Sequence, residues 1–210
     1  MSRPDPDVRL IVITDAGLAA PRSMLDVAAE AAAAGAPAIQ LRHKSASARE
    51  LLGLATALRS LIDGTPALLF VNDRLDVALA SGADGVHLGP DDLPVAAARR
   101  AAPPGFLIGY STDDPALARR AEADGAAYIG CGAVFGTTTK AVGDERIGLE
   151  RLAAVTAAVA IPVVGIGGIT PATVHSVLRA GAAGVAVVGA VMAAADVRAA
   201  VGALLGTLRR

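Results

Sequence analysis

Short runs of β-branched and other apolar residues recur along the chain, each set between alanine-rich stretches of helical character. Four segments share one grammar: AGAPAIQL from Ala34, SGADGVHL from Ser81, EADGAAYI from Glu122 and AGAAGVAV from Ala180. In each, a helical stretch ends, the chain turns on glycine or a small polar residue, and an apolar strand begins. The intervals between them are unequal, so they mark a recurring supersecondary unit and not a short solenoid repeat.

Completing the series gives eight predicted strands, at 8–14, 38–42, 67–72, 85–88, 106–110, 127–130, 162–166 and 185–188. A helical stretch follows each, with starts marked near Pro94, Pro115 and Pro171, because the first helical turn accommodates proline. The alternation predicts an α/β fold, a (β/α)8 TIM barrel formed as a single domain over residues 1–210. A doubly wound open sheet is the competitor. It would ordinarily carry a glycine-rich fingerprint after its first strand, and ITDAGLAAP is not G-x-G-x-x-G.

Composition narrows the class. The chain is 53% hydrophobic and residues 152–178 contain no Asp, Glu, Lys or Arg, which raises the question of a membrane span. Pro162, Gly165, Gly167, Gly168 and Pro171 interrupt that stretch, whereas a spanning helix needs ~20 largely unbroken apolar residues. A net charge of −1 supplies no general field for nucleic acid or an anionic membrane, so any anion must be met by local charges. One cysteine, Cys131, excludes an internal disulfide and a multi-cysteine metal site, and fits a reducing compartment. The start MSRPDPDVRL lacks the apolar core of a signal peptide, so a cytoplasmic protein is expected. The expected partners are small molecules, without nucleic acid or membrane, and the chain is compatible with a homo-oligomer.

In a barrel of this kind, functional side chains collect where strands end. Those ends read Asp15, QLRHK, NDR, GPDD, YSTDD, GTTTK, GIGGIT and VVGAV, mostly polar or glycine-rich, whereas the opposite ends are small or hydrophobic. Strand alternation sends Gln40, Arg42 and Lys44 to one face and Ile39, Leu41 and His43 to the other. Two cations in a barrel mouth suit a phosphate, Arg through paired donors and Lys as a mobile charge; ion pairs with Asp15 or Asp73 are the alternative. Asn72 and Asp73 on one strand end and Asp91 and Asp92 on the next suit Mg²⁺, which favours a few carboxylates with phosphate oxygens and water. DDLP also resembles a helix cap, which leaves one of that pair for metal.

GTTTKAVGDERIG suits phosphate or heterocycle contacts through its hydroxyls and Lys140, or else a solvated loop. GIGGIT and VVGAV stand where barrels often hold phosphate on backbone N–H groups, with tight packing as the simpler reading. His87 on a strand and His175 on a helix lack a second ligand at metal spacing and read as structural. Cys131 has no base partner in sequence and does not read as a nucleophile.

Together, ITD, QLRHK, NDRLDVALASGADGVHLGPDDLP, GYS, GTTTK and PVVGIGGIT resemble the thiamine-phosphate synthase family across nearly the whole chain, with the block at 72–94 the most specific. The related thiazole tautomerase shares the barrel and parts of this pattern. The resemblance implies a (β/α)8 fold and a transferase of thiamine biosynthesis. That enzyme condenses hydroxymethylpyrimidine diphosphate with thiazole phosphate or its carboxylated form, releasing pyrophosphate and, from the carboxylated form, CO₂. It implies pyrimidine-diphosphate contacts from Gln40, Arg42, Lys44 and Asn72, completed by Ser111 and Lys140, and Mg²⁺ ligation by Asp73 and Asp92. Arg42, Lys44, Ser111 and Lys140 are the expected catalytic groups, and Thr137, Thr138, Thr139, Gly168, Val188 and Gly189 are expected to hold the thiazole phosphate.

Several positions depart from the family pattern. His43 replaces a frequent acid but is expected to be peripheral, since alternation turns it outward. Gly136 replaces a common proline, Ala141 begins a segment that replaces a basic-acidic one, and Gly189 stands where serine is common. Asp113 stands where the family often has His and the tautomerase a catalytic His, which counts against a tautomerase. A tautomerase and a catalytically silent phosphate-binding paralogue are the alternatives.

Overall fold

Eight parallel strands close on themselves in chain order: β1 (Leu10–Ile13), β2 (Ala38–Leu41), β3 (Leu68–Asn72), β4 (Gly85–Leu88), β5 (Leu107–Ser111), β6 (Tyr128–Cys131), β7 (Val163–Ile166) and β8 (Gly184–Val187), with β8 pairing back onto β1. This computed structural model describes residues 6–136 and 146–208. Helices connect the strands, giving the expected (β/α)8 barrel, and each strand overlaps its predicted run. None of the described helices is long and apolar enough to cross a membrane.

Period-two alternation divides the apolar residues between two cores. Outward side chains such as Val12, Ile39, Leu41, Val71, Val86, Ile108 and Ile129 pack under the helices. Inward residues Ile11, Ile13, Ala38, Phe70, Leu107, Tyr128, Val164 and Ala186 fill the barrel. Such an interior is a packed core and not a pore. Its largest rings, Phe70 and Tyr128, meet edge to face with centroids 5.4 Å apart. Each ring lies over a glycine at its paired position on the neighbouring strand, Phe70 over Gly85 and Tyr128 over Gly109. A Cβ at Gly85 would lie 2.7 Å from the Phe70 ring, and one at Gly109 would lie 2.3 Å from that of Tyr128.

Polar groups at the rim opposite the strand C-termini are committed to structure. The Asp84 carboxylate before β4 accepts from the Leu69 N–H at 2.8 Å and from the Arg59 guanidinium at 2.9 Å, tying a helix to two strands. Two helix starts on the other rim are set by local caps. Ser47 and Glu50 form a capping box on Ala48–Leu61, and Asp114 accepts from the amides that open Pro115–Ala123.

Candidate active site

The inward parity of the strands delivers Gln40 on β2, Asn72 on β3, His87 on β4 and Ser111 on β5 toward the C-terminal mouth. Gln40 is buried at 3% exposure. It faces the hydroxyl of Tyr128, whose phenol burial pushes far above its ordinary pKa, so the hydroxyl stays protonated. Regular pairing of β2 ends at Leu41, and the next residue is fixed by β1. The Thr14 N–H donates to the Gln40 carbonyl at 2.9 Å, and the buried Thr14 hydroxyl accepts from the Arg42 N–H at 2.8 Å. Thr14 therefore sets where Arg42 leaves the sheet.

Beyond that latch the strand has ended, and residues 42 and 43 lead into a turn at 44–45. His43 lines a cavity of about 140 Å³ at the rim together with Lys44, Asn72, Asp73 and Arg74. Its ring Nδ1 stands 3.4 Å from the Ser45 hydroxyl. Lys44 is the more exposed cation, and its ammonium stands 3.8 Å from the Asp73 carboxylate. Arg74 is committed to Asp76 at 2.9 Å.

Asp73 follows β3 with φ +66, a left-handed conformation that Asp adopts more readily than most residues. Its N–H donates to the His87 carbonyl at 2.8 Å, which extends the ladder one step past the strand. This turns the carboxyl toward Asp92. Burial raises the Asp73 pKa above its ordinary value and Asp92 raises it further, while Lys44 and Arg42 oppose the shift. Two carboxyl groups in this contact need a proton or a cation between them, and the pair fits a divalent metal held by two carboxylates, water and phosphate oxygens.

DDLP is not a side-chain cap. Pro94 occupies the cap position of helix Val95–Ala101 without a side-chain hydrogen bond. Asp92 turns back instead and accepts from the Gly89 N–H at 2.6 Å, and Asp91 is exposed in the turn. The helix start thus leaves Asp92 at the rim beside Asp73.

Ser111, the last residue of β5, places its hydroxyl 2.7 Å from His87 Nε2. Asp113 lies farther out and pairs with Arg151 at 3.8 Å. Across the mouth, the chain after β6 runs alongside the β7 turn, with the Val134 N–H donating to Ile166 O at 2.8 Å and the Phe135 N–H to Gly167 O at 3.1 Å. Gly168, at φ +64, presses so closely on this segment that a Cβ would lie 2.7 Å from Gly136 O. The start of the GTTTK segment is thereby brought to Gly168, while Thr137, Thr138, Thr139, Lys140 and Ala141 lie outside the described residues. Val188 and Gly189 follow β8 beside it, and Gly189 opens the short helix Gly189–Met192. Cys131 ends β6 fully buried, with its thiol pushed up to about 12 by burial and by Asp113.

Residues not singled out for function by the local pattern complete this rim. Thr14 holds Arg42, Tyr128 meets Gln40, and His87, expected to be structural, contacts Ser111. The inward parity that His87 shares with Gly85 is the signal that places it in the barrel.

A family model described as thiamine monophosphate synthase matches residues 10–191. A thiamine-phosphate synthase of Methanoculleus marisnigri is 51% identical over 191 residues, covering 91% of this chain and 90% of the relative. One from Moorella thermoacetica is 48% identical over 195 residues, covering 93% of each. The solved structure of thiamine phosphate pyrophosphorylase from Pyrococcus furiosus superposes with a TM-score of 0.87 at 43% identity, over 98% of this chain and 97% of that one. With the family model matching most of the chain and these relatives aligned along nearly its full length, the chain belongs to the thiamine monophosphate synthase family.

Proposed function

We propose that the barrel mouth joins hydroxymethylpyrimidine diphosphate to a thiazole phosphate, or to its carboxylated form, by a dissociative route. The observation that carries this reading is the Asp73–Asp92 carboxyl pair beside Lys44, on the same rim as Gln40, Asn72 and Ser111. Asp73 and Asp92 would hold Mg²⁺, which when bound neutralises charge on phosphate oxygens and a departing pyrophosphate. Arg42, Lys44 and Lys140 contribute positive charge to the same leaving group, while Ser111 donates a hydrogen bond.

The pyrimidine methylene–oxygen bond breaks with its electron pair leaving on pyrophosphate, and the thiazole nitrogen lone pair forms the new carbon–nitrogen bond; from the carboxylated form the carboxyl group then leaves as CO₂, its bonding pair returning to the thiazolium ring, which takes up a proton. The electron-rich aminopyrimidine carries the transient positive charge, so no protein nucleophile is required. Gln40 and Asn72 orient the pyrimidine part. Thr137, Thr138, Thr139, Gly168, Val188 and Gly189 hold the thiazole phosphate, so that the nitrogen approaches as the leaving group departs. Most of the catalysis is positioning and charge compensation.

Incubation with both substrates and Mg²⁺, followed by measurement of thiamine phosphate and pyrophosphate, tests this reading. Equal amounts of both products are expected. Absence of product under conditions where both substrates bind would overturn it.

A further inference from the structure

The centre of the barrel holds a polar chain whose middle members, Tyr128 and His87, the proposed reaction has not used. His87 Nδ1 lies 2.8 Å from the Tyr128 hydroxyl and its Nε2 lies 2.7 Å from the Ser111 hydroxyl. Tyr128 in turn meets the Gln40 side chain. Tyr128, His87 and Ser111, from β6, β4 and β5, thus form one hydrogen-bonded line across the barrel floor, with Gln40 of β2 against its Tyr128 end, and both Gln40 and Ser111 are proposed substrate contacts.

The backbone is shaped to admit this line. A Cβ at Gly109 would lie 2.5 Å from His87 Nδ1 and 2.3 Å from Tyr128 Cζ, and one at Gly130 would lie 3.1 Å from His87 Cε1. Glycine on two consecutive strands clears the space in which the imidazole reaches both hydroxyls.

We infer that His87 is a positioning residue: bonded at both ring nitrogens, it fixes the direction in which Ser111 donates and the orientation of the Gln40 amide. This rests on the reading of Ser111 and Gln40 as substrate contacts. A diphosphate only accepts hydrogen bonds, so Ser111 must give it the one hydroxyl proton. The Ser111 oxygen must then accept from His87, which places the imidazole proton on Nε2. A neutral imidazole with that proton accepts at Nδ1 and takes the Tyr128 O–H. The Tyr128 oxygen accepts from the Gln40 NH₂, leaving the Gln40 carbonyl free to accept from an amino group on the pyrimidine. Reversing the line would turn a serine lone pair toward the anion.

Two measurements test this. The ¹⁵N shifts of the His87 ring, in wild-type protein saturated with inorganic pyrophosphate and Mg²⁺, are expected to show a protonated Nε2 and a bare Nδ1. A proton on Nδ1 alone would overturn the inference. In kinetics, Tyr128→Phe removes one hydroxyl and is expected to lower kcat by about tenfold, the scale of one hydrogen bond to a polar partner. Its effect should be smaller in a Ser111→Ala background, where only the Gln40 end of the line is left to disturb. Independent, additive losses would overturn the relay. Wild-type kcat and KM in Ser111→Ala would overturn the Ser111 assignment and the relay with it. Loss in Ser111→Ala beside unchanged kinetics in Tyr128→Phe would overturn the relay alone.

Discussion

The Asp73 and Asp92 carboxyl groups, just beyond the ends of adjacent strands, face one another closely enough that Asp92 raises the Asp73 pKa, and the Lys44 ammonium stands 3.8 Å from Asp73. Asn tolerates a positive φ nearly as well as Asp, so Asp73→Asn keeps the turn while removing a charge. Turnover is expected to fall about a hundredfold or more, the scale of losing one electrostatic contact to a developing anion. The Mg²⁺ concentration for half-maximal rate should rise. Titration of Mg²⁺ against thiamine phosphate formation checks this, with urea unfolding as the control for folding. Chelation should abolish wild-type turnover and added Mg²⁺ should restore it.

Thr14→Val keeps the shape of a buried side chain but removes the acceptor of the Arg42 N–H. Leaving that amide without its partner is expected to cost about 1–3 kcal/mol. Arg42 would also lose its fixed exit from β2, so KM for the pyrimidine diphosphate should rise in the same variant. Denaturant unfolding and initial-rate kinetics read the two effects separately. Normal KM with lowered stability would detach the latch from function.

Two glycine substitutions are expected to behave oppositely. Gly109→Ala drives a methyl into the Tyr128 and His87 rings, and overpacking of this kind costs about 1–3 kcal/mol. A Cβ at Gly189 would meet nothing nearer than Leu18 Cδ1 at 3.8 Å, which leaves room for Gly189→Ser. It should leave the melting temperature unchanged while adding a hydroxyl to the proposed thiazole-phosphate contacts, lowering KM for that substrate. Thermal unfolding and KM measured side by side test the pair.

Cys131 is fully buried and its thiol is pushed up to about 12. An ordinary cysteine has a pKa of about 8.5, so its alkylation accelerates between pH 7 and pH 9 as thiolate accumulates. Here the thiol stays protonated through that window. Iodoacetamide labelling of the folded protein should stay slow and nearly flat with pH, and become rapid after denaturation. Fast labelling of native protein would contradict the burial.

The eight strands were legible because alternating short apolar runs and alanine-rich helices encode local geometry, and parity alone sent Gln40 inward. The strand itself stops at Leu41, so parity carries less information beyond it, where His43 and Lys44 line one small cavity with Asp73. Asp92 was open between cap and rim because both fates share one local signature, and the Gly89 amide decides between them. His87 was the least legible. Its partners lie 24 and 41 residues away, so the residues that give it a role are set by barrel closure and not by its neighbours in sequence. The assignments of Thr137, Thr138, Thr139 and Lys140 come from motif resemblance, and the structure contributes the position of Gly168 at the start of their segment.

The pairing of Phe70 with Gly85 and of Tyr128 with Gly109 has a consequence for how this interior can vary over evolutionary time. Each ring occupies volume that its cross-strand partner has given up, so bulk at these sites is a joint property of two positions. Drift at one member alone is blocked by collision in one direction and by a void in the other. Among descendants of this sequence, the barrel floor should therefore change by reciprocal exchange, with large and small residues trading strands together.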